Sequence, residues 1–185
     1  MPVLKYDSIA GLIEEARQSG KRISELTLAQ QAEEIGQSEA VLYDGMRLSL
    51  QVMREAVEAG IDEHLRSTSG LSGGDAFRLQ RRVAAGESLC GRLFGGALVR
   101  ALAVSEYNAA MGRIVAAPTA GSCGIIPAAV LSVAEERDLP ERDTVLSLFT
   151  ASAVGMVIAR NASISGAEGG CQAECGSASA KIGRA

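Results

Sequence analysis

The sequence predicts an all-α fold, a helical bundle whose central helices are buried and rich in small residues. Three observations carry this prediction. Apolar residues recur at helical spacing in almost every segment between glycines. No alternating run that would mark a strand exceeds a few residues, and IVAAP is the nearest to one. In the second half, charge thins out and Ala, Gly and Ser dominate, a composition that lets helices approach each other closely.

Each element has its own signals. In DSIAGLIEEARQSG, Ile9, Leu12, Ile13 and Ala16 share one helical face; Ser8 or Asp7 can cap the start and Gly20 can end it. ISELTLAQQAEEIG repeats the form, with Ser24 as the expected cap. SEAVLYDGMRLSLQVMREAVEAG is longer, capped by Ser38 and closed by Gly60. LRSTSGLSGGDAFRL is a Ser/Gly-rich break, after which a short helix runs from about Asp75 to Val83. The next helix falls in GRLFGGALVRALAVSEYNAAMGRIVA. CGIIPAAVLSVAEERDL and DTVLSLFTASAVGMVIARNASIS then form a buried central pair, with the charged N-terminal helices as a layer around it.

Composition narrows the function. A chain of 185 residues suffices for one domain and buries roughly 70% of its unfolded surface. A net charge of −4 and a pI near 5.1 argue against a nucleic-acid partner or an anionic membrane. Aromatics make up 3% and Trp is absent, which leaves little for base stacking. The first residues lack the apolar core of a signal peptide, and LSLFTASAVGMVIA, about 14 residues long, is short for a bilayer span. A cytoplasmic location is therefore expected. In that reducing setting the four cysteines are core thiols, metal ligands or catalytic groups rather than two disulfides.

Two motifs bear on chemistry. PTAGSCGIIPAAV combines Pro118 with the small residues Thr119, Gly121, Ser122 and Gly124 ahead of an apolar helix. Free N–H groups and hydroxyls at such a helix start suit an anion, for example a carboxylate. The same residues also suit an ordinary turn with a capping hydroxyl. In SISGAEGGCQAECGS, Cys171 and Cys175 fall on one face of a helix, four residues apart, behind Gly166, Gly169 and Gly170. Two thiolates near a helix start fit a metal or cluster, and two small buried hydrophobes fit the spacing equally well. C-x-x-x-C is neither a redox C-x-x-C motif nor part of a zinc-finger pattern.

STSGLSGGDA, with Ser69 and Gly70, is either a ligand-facing loop or a linker. His64, the single histidine, lies among Asp62, Glu63 and Arg66 and is expected on the solvated surface. Asn108 reads as a polar group packed within the bundle, and Cys90 as structural.

Taken together, PTAGSCGIIPA, NASISGAEGGCQAECGSASA, SGLSGGDA and SEYNAAMGRIVAAPTAG resemble the α subunit, or α domain, of the bacterial iron–sulfur-dependent L-serine dehydratases. The resemblance runs from the first helices to about Ala180 and implies a serine dehydratase α-type helical domain over 1–180, with 181–185 a tail outside the family. It implies that L-serine loses water to give aminoacrylate, which yields pyruvate and ammonia, without pyridoxal phosphate. A 4Fe–4S cluster held by three cysteines would act as Lewis acid on the serine hydroxyl, and a protein base, not named by the sequence, would take the α-proton. A separate β subunit completes two-subunit members.

By the same resemblance Cys171 matches a cluster ligand, with Cys175 and then Cys123 as weaker substitutes. Thr119, Gly121 and Ser122 would cradle the substrate carboxylate, with Ser69 and Gly70 a second candidate contact. The family's other two cluster cysteines lie further on, in a Cys-Asp-Pro…Val-Pro-Cys segment that this chain lacks. Its members also continue after GSASA with a long Ala-rich helix, whereas here GSASA runs into KIGRA. The expectation is a C-terminally truncated α chain that is inactive by itself. The rival readings are a non-enzymatic helical interaction module and a carboxylate-binding protein. L-Serine and L-threonine are not separated as substrates.

Overall fold

The computed structural model describes residues 7–182. Among them are eight α-helices and no strand: α1 Ile9–Ser19, α2 Ile23–Ile35, α3 Glu39–Gly60, α4 Asp75–Ala84, α5 Gly91–Ala109, α6 Ile125–Glu136, α7 Glu141–Asn161 and α8 Gly166–Ala180. A single 3-10 turn, Ala120–Ser122, precedes α6. The all-α expectation holds. The chain forms two compact units, Met1–Leu48 with Pro140–Ala185, and Ser49–Leu139.

The first unit contains α1, α2, the start of α3, α7 and α8. Ser8 Oγ accepts from Gly11 N at 3.1 Å to open α1, and Gly20 (φ 66) closes it in the left-handed conformation. Of the apolar face expected on α1, Leu12 is fully buried, while Ile9 and Ile13 stay partly in solvent. The start of α2 corrects the expected Ser24 cap. Ser24 lies inside the helix and is buried, and Arg22 takes the cap position because Glu25 reaches back to accept from its N–H at 2.9 Å.

Packing of α7 on α2 forms the core of this unit, with Leu28 and Ala32 meeting a helix that buries Val145, Leu148, Phe149, Ala153 and Val157. By length and composition α7 could cross a membrane; at 21 residues it outruns the apolar stretch read from the sequence. Half of its most apolar window is buried within the protein, as in a core helix.

The second unit packs α4 and α6 against α5. Ala56, Val57, Val104 and Cys123 form a buried cluster, flanked by Ile61, Tyr107, Ile114 and Leu131. Small residues set the spacing here. A Cβ on Gly60 would lie 2.0 Å from the carbonyl oxygen of Ala103, so α3 reaches the backbone of α5 only because that position has no side chain.

Candidate functional site

In the second unit the last turn of α5 organises both loops singled out from the sequence. Glu106 is the central residue. Although buried, its carboxylate accepts from Asp75 N at 2.9 Å, Gly74 N at 3.1 Å and Ala76 N at 3.3 Å. These N–H groups belong to the first turn of α4, where the helix has no carbonyl partners of its own and where the macrodipole favours negative charge. The 67–74 loop is tied down again by Thr68 N donating to Ala109 O at 3.1 Å. Asn108, in the same turn, donates through Nδ2 to Ala120 O at 3.2 Å and holds the PTAGS loop. Glu106, Asn108 and Ala109 thus anchor two Ser/Thr/Gly loops to one helix end.

Within the PTAGS loop the Ala117–Pro118 bond is cis. The hydroxyls of Thr119 and Ser122 lie 3.2 Å apart, and Ser122 N donates to Thr119 O at 3.3 Å. Ser122 is buried, Thr119 is half-buried and Gly121 is exposed, so the loop offers a graded wall of hydroxyl and amide groups. In the neighbouring loop, Ser69 Oγ lies 3.1 Å from Ser67 Oγ, and Gly70 N donates to Ser67 O at 2.8 Å. Ser69 and Gly70 are both exposed. A separate groove of about 430 Å³ is lined by Val57, Val83, Val99, Arg100 and Ser132, and by none of the residues expected to bind substrate. Arg100 there donates to Ser132 Oγ at 3.1 Å and pairs with Glu135.

The cysteine motif lies in α8, in the first unit. Ser165 caps the helix start by accepting from Ala167 N at 3.2 Å. Gly170 then leaves helical geometry (φ 68, ψ −173), so a new helical segment begins at Cys171. Cys171 Sγ and Cys175 Sγ are 3.6 Å apart, as the four-residue spacing predicts. Cys171 is exposed and Cys175 half-buried. The hydrogen bond to Cys171 raises the Cys175 thiol above its ordinary pKa, and burial with the charges of Cys171 and Glu174 adds to this.

Cys123 sits elsewhere, 1% exposed in the core of the second unit, with its thiol 4.0 Å from Val104 O. Cys90 is exposed just before α5, and His64 is exposed as expected. Among the described residues no three His, Cys, Asp or Glu side chains are grouped to hold a metal ion.

Sequence reasoning missed Glu106. A carboxylate as the single charged group in ALAVSEYNAA was the available signal, and its partners lie too far away in sequence for spacing to reveal them.

Residues 18–183 match the family described as serine dehydratase alpha chain. The chain is 43% identical over 174 residues to the probable L-serine dehydratase, alpha chain, of Bacillus subtilis, covering 94% of this chain and 58% of that one. It is 35% identical over 170 residues to the L-serine dehydratase, alpha chain, of Peptoniphilus asaccharolyticus, covering 91% and 58%. Against the L-serine dehydratase of Streptomyces coelicolor it is 38% identical over 186 residues, covering 95% and 39%. The chain therefore spans little more than half the length of the alpha chains it matches. With the match running through both glycine-rich loops and the cysteine helix, the chain belongs to the serine dehydratase alpha chain family.

Proposed function

We propose that this chain supplies the α-chain part of an L-serine dehydratase, which converts L-serine through aminoacrylate to pyruvate and ammonia in the cytoplasm. The observation that carries the reading is the match over residues 18–183, together with the anchoring of both hydroxyl-rich loops on the last turn of α5. Serine presents a carboxylate, an ammonium and a poor leaving group. The PTAGS loop offers Thr119 and Ser122 hydroxyls and the Gly121 backbone to the carboxylate, and the Ser69–Gly70 turn offers a second contact. Holding both loops on one helix end fixes the substrate's orientation before the α-proton is removed.

The 4Fe–4S cluster that the family resemblance implies needs several thiolates. This chain brings two together, Cys171 and Cys175, and its described residues contain no group of three donors. They do not make the cluster's ligand set by themselves. In this reading Cys171 contributes one ligand, Cys123 contributes none because it is locked in the core, and the chain alone does not turn over serine. A serine dehydratase β subunit is the proposed partner.

The test is anaerobic iron–sulfide reconstitution followed by a pyruvate assay, on this chain alone and after co-expression with a β chain. No pyruvate from the chain alone is expected, and serine-dependent pyruvate from it would overturn the incompleteness. In an active assembly, Ser122→Ala should raise KM for serine about tenfold, as loss of one hydrogen bond to a charged group predicts. An unchanged KM would remove the PTAGS loop from substrate binding.

A further inference from the structure

We propose that Cys171 and Cys175 form a reversible disulfide within α8 when the chain meets a peroxide. Nothing in the family assignment calls for a second thiol beside Cys171, yet Cys175 Sγ lies 3.6 Å from Cys171 Sγ. Access is graded in the order the chemistry needs. Cys171 is exposed, and Cys175 is half-buried directly behind it.

The backbone is also set for closure. Side chains four residues apart on a helix hold their Cβ atoms about 5–6 Å apart, whereas a disulfide brings them to about 3.5–4.5 Å. A rigid helix interior would resist that movement. Here Cys171 begins a helical segment immediately after Gly170, whose φ of 68 and ψ of −173 break the helical path, and Gly176 follows Cys175. The first turn can therefore tighten at its free end without distorting the rest of α8. A bond closed against some residual strain is more readily reduced, which makes it a labile bridge rather than a structural one.

The chemistry balances with hydrogen peroxide as oxidant. The sulfur of Cys171 attacks one peroxide oxygen, the O–O bond breaks, and one water leaves once protonated, giving a sulfenic acid on Cys171. The sulfur of Cys175 then attacks the Cys171 sulfur. The S–O bond breaks, a second water leaves and the S–S bond forms. Two thiols lose two protons and two electrons, and the peroxide takes both. A small dithiol reverses the process. On the reading that Cys171 is a metal ligand, the bridge withdraws that ligand while shielding it from irreversible oxidation to sulfinic acid.

The experiment exposes the metal-free chain to stoichiometric hydrogen peroxide, blocks remaining thiols with a maleimide and maps the peptides by mass. Free thiols should fall from four to two. A single peptide carrying both Cys171 and Cys175 should be lighter by two hydrogens and unlabelled until dithiothreitol restores both thiols. In Cys175→Ser, and independently in Cys175→Ala, the first equivalent should leave Cys171 as a sulfenic acid, and a second equivalent of peroxide should carry it to sulfinic acid. Sulfinic acid on Cys171 in the unmodified chain, or bridges formed only between chains, would overturn the proposal. Iron binding is read separately by reconstitution, so failure of the bridge and failure of the ligand assignment are distinguishable.

Discussion

The carboxylate of Glu106 and the backbone N–H of Asp75 lie 2.9 Å apart, joining the last turn of α5 to the first turn of α4 across 31 residues of sequence. With Gly74 N and Ala76 N also donating, one side chain satisfies three N–H groups that α4 cannot satisfy itself. Glu106→Gln keeps the shape but loses the charge and turns one acceptor atom into a donor facing donors. It should cost about 1.5–3 kcal/mol, read as a lower denaturation midpoint with an unchanged slope. Glu106→Ala should cost more, because three N–H groups, those of Gly74 and Ala76 buried, lose their acceptor. A loss below about 0.5 kcal/mol for Glu106→Ala, the scale of an ordinary surface change, would show that water or another group caps α4.

Cys123 and Cys171 separate structural from ligand thiols. Cys123 is 1% exposed beside Val57 and Val104. Cys123→Ser places a hydroxyl in an apolar cluster and should cost about 1–3 kcal/mol, with no loss of bound iron in a reconstituted assembly beyond that caused by unfolding. Cys171→Ser changes an exposed side chain and should alter stability by no more than about 0.5 kcal/mol, while abolishing bound iron. The reverse pattern, a stable Cys123→Ser lacking iron, would make Cys123 the ligand. Paired denaturation curves and iron counts decide it.

Gly170 is the hinge ahead of Cys171. A Cβ there would meet nothing within 4 Å, so crowding is not the issue. The backbone angles themselves are, since φ 68 with ψ −173 lies in a region open essentially to glycine alone. Gly170→Ala should cost about 1–3 kcal/mol. Gly170→Asn should be no better, because asparagine tolerates the left-handed helical region but not this ψ. A full rescue by asparagine, measured by denaturation, would show that α8 relaxes to a different path at this point.

What the sequence disclosed was local. The caps at Ser8 and Gly20, the start of α4 at Asp75 and the pairing of Cys171 with Cys175 all follow from residue type and spacing within a few positions. The misplaced cap at Ser24 failed because a side chain three residues beyond the true cap, Glu25, can open a helix as well as a hydroxyl can. The hold of Glu106 on α4 and of Asn108 on Ala120 was illegible for a different reason. Both are contacts between elements, and helical periodicity says which face of α5 is buried but not which loop it meets. The PTAGS and SGLSGG loops were visible as motifs, yet their common anchor on the end of α5 was not.

Lys181 gives a prediction in pH. Its side chain is buried, 8% exposed, and packs over Gly155 of α7, where a Cβ would come within 2.5 Å of its Cε. Burial lowers its pKa from the ordinary lysine value of 10.5. Between that depressed value and 10.5 the unfolded chain binds more protons than the folded one, so this residue makes stability rise with pH across that window. Below the window the folded protein bears the whole cost of a desolvated ammonium. Lys181→Met keeps the stem and removes the charge, so at pH 7 it should raise Tm by roughly 2–4 °C, about 1 kcal/mol for a chain of this size. The advantage should shrink as pH rises toward 10.5, because the native amine is then neutral in the folded state and no longer carries the cost. Parallel thermal melts of both chains from pH 7 to pH 10 measure this directly. A Tm difference that stays constant over that range would mean the gain comes from apolar packing on α7 and not from the removed charge.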